Sequence, residues 1–268
     1  MSVLRLRDAE LRRDGTTLVT GVDWTVGEGE RWAVLGPNGA GKTSLLELAS
    51  AYELPSRGTV EVLGARVGRV DLREHRRRIG VAGPTLRRRL RGELTVLEAV
   101  LTGPHATLTV WGQEFSPLEV AAARSLLDDL GLGRLADRRV DRLSEGERQR
   151  TQLARVLRAG CDGAGAPAAW APELLLLDEP AAGLDVAGRE LVLSRLEDVV
   201  TPRAVVVVSH HLEELPPSTT HALALRGGRP HAAGPVDEVL TGPVLSEVFG
   251  LPLAVGRRDG RWWAQRAG

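Results

Sequence analysis

"GPNGAGKTS", residues 36–44, contains Lys42, the one lysine in a chain of 268 residues; every other member of its 35 Lys/Arg residues is arginine. Just before it, "RWAVL" (31–35) reads as a short apolar strand. Just after it, "KTSLLELAS" opens a helix with Leu45, Leu46 and Leu48 as apolar positions. In that strand–loop–helix context Gly36, Gly41, Lys42 and Thr43 match G-x-x-x-x-G-K-[ST], the phosphate-binding loop. Glycines let the backbone curl so that successive N–H groups point inward, and the helix N-terminus adds partial positive charge at the same place. Lysine supplies a compact ammonium on a thin stem that can thread the loop, whereas a guanidinium is wider and prefers a bidentate fork. That difference explains why one lysine survives here. The candidate phosphate-binding residues are Gly36, Asn38, Gly39, Ala40, Gly41, Lys42, Thr43 and Ser44.

Outward from the loop, "LLLLDEP" (174–180) and "AVVVVSHH" (204–211) are continuous apolar runs of strand length, suited to strands buried on both faces of a parallel sheet. The helical pattern "GRELVLSRLEDVV" between them completes a βαβ unit, so the class is α/β. The first run delivers two carboxylates at its C-terminal end, where open α/β sheets bind ligands. Asp178 is placed to hold Mg²⁺ together with the Thr43 hydroxyl, and Glu179 to polarise an attacking water as general base. His210 follows the second run, where its imidazole can contact a γ-phosphate. The set His210, His211, Glu213 and Glu214 is also a possible metal cluster, although adjacent ligands rarely close a site alone. In "LSEGERQR" (143–150), Ser144 and Glu147 have capping-box spacing, and the same helix N-terminus makes a second anion site.

The N-terminal "VLRLRDAELRRDGTTLVTGVDWTV" reads as a hairpin turning at Asp14-Gly15, and "GTVEVLG" as a further strand. Residues 71–140 are expected to turn helical. Arginine runs at 76–78 and 87–89 are either solvated surface or a docking face. "AGCDGAGAPAAWAP" (159–172) reads as a flexible loop around the single cysteine, Cys161, which rules out an intramolecular disulfide framework. The tail "VGRRDGRWWAQ" is expected to be a hairpin around Asp259-Gly260. Formal net charge is zero, against the basic excess of proteins that coat nucleic acid, and no nucleic-acid partner is expected. No apolar run approaches the eighteen or so residues of a membrane helix, and the N-terminus has no signal-peptide core. A cytoplasmic protein, reaching a membrane only through a partner, is the expectation.

With these motifs in order, nearly the whole chain resembles the ATP-binding subunits of ABC transporters. "GPNGAGKTS" is similar to their Walker A loop, "LSEGE" to their signature, "LLLLDEP" to Walker B, "AGLD" (182–185) to the D-loop, and His210 to the switch histidine. "SHHLEELPPSTTHALAL", then "GP" and "VFGLP", is similar more narrowly to the molybdenum-transport and photorepair types. The resemblance implies a P-loop NTPase (RecA-like) core with a mainly parallel sheet, an antiparallel β subdomain, a helical subdomain at about 85–145 and a C-terminal β extension at about 221–268, all as one ATPase domain. It implies ATP and Mg²⁺, with two copies, or this chain and a homologue, packed head to tail. ATP would then lie between the Walker residues of one copy and Ser144, Gly146 and Glu147 of the other, with Asp185 crossing the interface. The remaining implied partners are integral membrane subunits, which place the chain on the inner face of the cell membrane.

Two positions depart from the family. The Q-loop glutamine is expected near position 84, where the chain has Pro84 and then Arg87. The adenine-stacking aromatic falls near Arg13, whose guanidinium can stack on a base or simply face solvent from the hairpin. Three functions follow in order: an ATPase subunit of a transporter, a soluble ABC-type ATPase, and an ATP-gated switch with little turnover.

Overall fold

Asp14-Gly15 turns the first hairpin as expected, joining β1 (Ser2–Arg13) to β2 (Thr16–Gly27) with Arg13 opposite Thr16. A computed structural model describes residues 1–69, 75–83, 92–158, 172–198 and 204–268. The chain divides into two units: one comprises Met1–Leu72, Leu176–Glu179 and Val200–Gly268, the other Arg73–Leu175 and Pro180–Val199.

In the first unit, β4 (Arg57–Val62) and β5 (Ala65–Arg66) extend the hairpin to an antiparallel sheet ordered β2-β1-β4-β5. Leu4, Leu6, Ala9 and Leu11 of β1 and Val22, Trp24 and Val26 of β2 are buried. Each such Leu or Val contributes about 1.5–3 kcal/mol relative to exposure. Helix α1 (Lys42–Ala49) packs on this sheet. β3 (Arg31–Leu35) belongs to a second sheet, between two parallel neighbours, β8 (Ala204–Val208) and β9 (His221–Arg226). Every residue of β8 is buried, which is why that run lacks polar alternation. β10 (Arg229–Pro235) runs antiparallel to β9, and the end of β7 (Leu174–Asp178) lies on the other side of β8.

Short helices α6 (Val236–Val239) and α7 (Gly242–Phe249), numbered after the five α-helices that precede them among the described residues, follow, and then the hairpin β11 (Leu253–Arg258) and β12 (Arg261–Arg266), turning at Asp259-Gly260 as expected. Of residues 221–268, only β11 and β12 form a separate sheet. β9 and β10 are absorbed into the sheet around β3, because the apolar run "ALAL" is buried beside it. One core joins Leu35, Leu212, Leu215, Ala222, Ala224, Leu245, Val248 and Trp262.

The second unit contains β6 (Ile79–Ala82), α2 (Val96–Leu101), α3 (Pro117–Asp129), α4 (Glu145–Arg158), the start of β7, and α5 (Val186–Glu197). The expectation that residues from about 71 to 140 turn helical is corrected where the structure describes them: "IGVA" is a strand, its apolar run being too short for a helix, and turns and irregular chain join α2 to α3, while 71–74 and 84–91 lie outside the described residues. α2 and α3 both begin at capping boxes, Thr95 with Glu98 and Ser116 with Glu119. In the first arginine run, Arg77 and Arg78 are on the surface, where Arg78 pairs with Glu173 through two bonds of 2.6 and 2.9 Å. The second run, 87–89, lies outside the described residues.

Candidate nucleotide site

β3 ends at Leu35 and the loop 36–41 leads into α1. Gly41, at the helix N-cap, has φ 94, and a Cβ there would sit 2.6 Å from Val19 Cγ1 and 2.7 Å from the Leu18 carbonyl. A Cβ on Gly36 would run into the Leu225 carbonyl. Both glycines are therefore demanded by close approach as well as by backbone shape. Ala40 is buried and tied by its N–H to the Pro37 carbonyl at 3.1 Å, while Asn38 and Gly39 are exposed at the tip and Ser44 is half-buried.

Lys42 is 6% exposed, and its Nζ donates to the Gly36 carbonyl at 2.7 Å and the Pro37 carbonyl at 3.1 Å. Its side chain thus threads back through the loop. Burial lowers its pKa, opposed by the charges of Glu179 and Asp178. Thr43 Oγ1 donates to Asp178 Oδ2 at 2.8 Å, bringing the end of β7 to the start of α1. Asp178 is buried, and burial pushes its carboxyl up to about 6. Glu179 and Glu47 push the same way; the Thr43 hydrogen bond and Lys42 oppose them. A hydroxyl and a buried carboxyl that gains from neutralisation fit a small divalent cation with oxygen ligands.

Glu179 has φ 52, a left-handed conformation uncommon for a non-glycine residue, and its N–H donates to the Val208 carbonyl at 2.9 Å. Its Oε1 lies 2.9 Å from His210 Nδ1. A carboxylate only accepts, so Nδ1 carries the hydrogen of that bond. The proposed metal cluster does not assemble: His210 turns to Glu179, and Glu214 turns to Ser209 at 2.6 Å. Among the described residues, no group of three or more His, Cys, Asp or Glu could hold a metal ion.

Arg13 Nη2 bonds Glu47 Oε2 at 3.0 Å and Glu53 Oε1 at 3.1 Å. Sequence reasoning missed both carboxylates. Glu47 had a signal, being a charged residue among the leucines of α1. In the second unit, Ser144 and Glu147 form the capping box: Ser144 N–H donates to Glu147 Oε2 at 2.8 Å, and Glu147 N–H to Ser144 Oγ at 3.3 Å. That bond from Ser144 N–H holds the Glu147 carboxyl below its ordinary value. A Cβ on Gly146 would come within 3.2 Å of Leu184 Cδ2. Asp185 caps α5, its Oδ1 accepting from Gly188 N–H at 2.8 Å. Pro84, Arg87 and Cys161 lie outside the described residues.

A protein-family model described as "ABC transporter" matches residues 19–182, a span holding Lys42, Ser144, Asp178 and Glu179. The ABC transporter ATP-binding protein YlmA of Bacillus subtilis (strain 168) is 35% identical over 269 residues, covering 99% of this chain and 97% of the relative. The chain belongs to the ABC transporter ATP-binding proteins. It is an ATP-binding subunit of that family and, with it, an ATPase. The hemin import ATP-binding protein HmuV of Bradyrhizobium diazoefficiens is 32% identical across 97% of this chain and 92% of that protein. In fold, this ABC subunit matches the dimeric post-hydrolysis structure of the ATP-binding cassette MJ0796 bound to ADP and Pi, with TM-score 0.71 at 23% identity over 87% of this chain and 98% of that one. The α/β P-loop architecture is thereby established. Among the described residues, no helix is long and apolar enough to cross a membrane.

Proposed function

We propose that this ABC subunit binds ATP with its triphosphate in the loop 36–44, hydrolyses it with Glu179 as general base and His210 as its partner, and powers transport through separate membrane subunits. The observation that carries the reading is the convergence of two pairs: Thr43 on Asp178 at 2.8 Å and His210 on Glu179 at 2.9 Å, at the C-terminal ends of adjoining strands.

In this reading Lys42 exchanges a loop carbonyl for a phosphate oxygen, and the amides of 38–44 surround the β-phosphate. Thr43 and Asp178 would hold Mg²⁺, which would draw charge from the phosphoryl oxygens as the bond breaks. Glu179 takes a proton from the attacking water, and His210, donating from Nδ1, fixes the carboxylate for that task. Arg13, held by Glu47 and Glu53, offers the flat face of its guanidinium to the adenine. Ser144, Gly146 and Glu147 serve the ATP of a second copy or a homologue, with Asp185 at the same interface.

The relative named for hemin import makes import the direction we favour, with this chain peripheral on the cytoplasmic side. Cargo choice belongs to the membrane and capture subunits. The likeness of stretches within residues 209–252 to the molybdenum-transport and photorepair types therefore names no cargo. The test is phosphate release by the purified protein beside Glu179→Gln. Loss of a general base typically slows turnover by about 10²–10⁴-fold, and the variant should elute as a dimer with Mg-ATP. Equal rates in the two proteins would remove Glu179 from the chemistry.

A further inference from the structure

We propose that the hairpin β11–β12 is a brace for the loop that carries His210, with Arg257 and Arg261 as positioning residues for hydrolysis. This deepens the reading above and rests on His210 acting with Glu179.

The loop leaves β8 at Ser209 and runs to Pro217. Ser209 is fully buried: its N–H donates to the Val34 carbonyl at 3.2 Å, and its hydroxyl to Glu214 Oε2 at 2.6 Å. His211 N–H returns to Ser209 Oγ at 3.0 Å. His210 therefore sits between two tied residues. Beyond them the chain makes one 3₁₀ turn, Leu212–Glu214. A turn that short has poor hydrogen-bond geometry and little stability of its own, so its shape must come from what packs on it.

The hairpin provides that packing. Trp262, 6% exposed, shares a core with Leu212 and Leu215. Arg261 Nη2 donates to the Glu213 carbonyl at 3.2 Å, and Arg257 Nη2 to the Pro217 carbonyl at 2.9 Å. Arg257 is itself fixed, with Nε on the Gly260 carbonyl at 3.1 Å and its guanidinium 5.6 Å from the Trp262 ring centroid. Two arginines and a tryptophan thus hold both the backbone and the apolar face of the loop. The two bonds to the loop end on its backbone, at Glu213 and Pro217, and so set where the loop places the imidazole. Lys42 and Thr43 are held instead by Gly36, Pro37 and Asp178. The brace accordingly acts on turnover and leaves nucleotide affinity alone.

The test uses the full chain with Arg257→Met and Arg261→Met together, which keeps the apolar stems and removes the donors, in wild-type and His210→Ala backgrounds. A displacement of about 1 Å at a reacting group can cost up to about 100-fold; a fall in kcat on the order of tenfold is expected, with unchanged affinity for a fluorescent ATP analogue. In the His210→Ala background the same pair should cause no further fall. Arg261→Lys, which keeps one donor for the Glu213 carbonyl, should retain near wild-type turnover. If the double variant does not fold, Arg261→Met alone is read the same way. Unchanged kcat overturns the brace, as does an equal fall in both backgrounds or a lysine variant as slow as the methionine one. Wild-type turnover in His210→Ala would sink the role of His210 and this inference with it; a slow His210→Ala beside a full-speed methionine variant would sink the brace alone.

Discussion

The two ends of the proposed nucleotide site use charge in opposite ways. At the phosphate end, Lys42, Thr43 and Asp178 are drawn into the dry end of the sheet, where desolvation lowers the lysine's pKa and raises the carboxyl to about 6. At the base end, Arg13 is 45% exposed, and its bond to Glu53 lies at the surface. Electrostatic interactions strengthen as water is excluded and weaken where solvent and salt reach them. The phosphate end should therefore grip the ligand strongly at a cost to the empty fold, and the base end weakly at little cost.

The largest test of that contrast is Lys42→Ala. Losing a buried, charged donor to phosphate should weaken ATP binding by about 10- to 150-fold, from the roughly 1.5–3 kcal/mol carried by a hydrogen bond to a charged group. Titration with a fluorescent ATP analogue reads it, and a loss of under threefold would break the comparison.

Next comes Asp178→Asn, measured as the stability of the metal-free protein. The folded carboxyl titrates near 6 against an ordinary 3.8, so the folded state holds this proton more tightly than the unfolded one. Stability is then lost as pH rises from about 4 to about 6, and the deficit, roughly 3 kcal/mol, is complete above that. Asparagine carries no such deficit and can still accept from Thr43. Urea denaturation should show Asp178→Asn more stable than wild type at pH 7.5 and equal to it at pH 4. A variant less stable at pH 7.5 would mean that the carboxylate is not strained by burial.

The smallest effect is at Arg13. Cation–π stacking at an exposed site is worth about 0.5–1 kcal/mol, so Arg13→Ala should weaken ATP binding about two- to fivefold and spare the fold. That loss should shrink in 0.5 M salt, whereas the Lys42 effect should persist. Equal losses for the two variants, or none for Arg13→Ala, would erase the difference between the ends.

The phosphate end was legible in the sequence because its parts are contiguous. Gly36 to Ser44 carry the whole phosphate-loop pattern in one run, and "LLLLDEP" carries its buried strand and both carboxylates together. The Asp14-Gly15 and Asp259-Gly260 turns and the Ser144–Glu147 box are local in the same way. What escaped were partners brought together by the fold: Arg13 finds Glu47 and Glu53 on a different element, and Arg261 reaches a carbonyl in the loop after β8. Periodicity is silent about such pairs: even where a charge among leucines marks Glu47, the pattern does not say which residue it meets. The short strand β6 escaped for a related reason: four residues, "IGVA", behind an arginine run fit a helix edge as well as a strand. The position of β9 and β10 in the large sheet required knowing that β3 had a vacant side.

The placement of β3 has a consequence for how the protein is made. Arg31–Leu35 pair on one side with Val205–Val208 and on the other with His221–Ala224, so the strand that carries the phosphate loop has neither neighbour until most of the chain has left the ribosome. At roughly 5–20 residues per second, that wait is on the order of ten seconds or more. During it the nascent chain exposes "RWAVL" with both edges open, a template for pairing with the wrong strand. A chain halted before residue 221 would contain the whole of "GPNGAGKTS" and still lack the sheet needed to hold it.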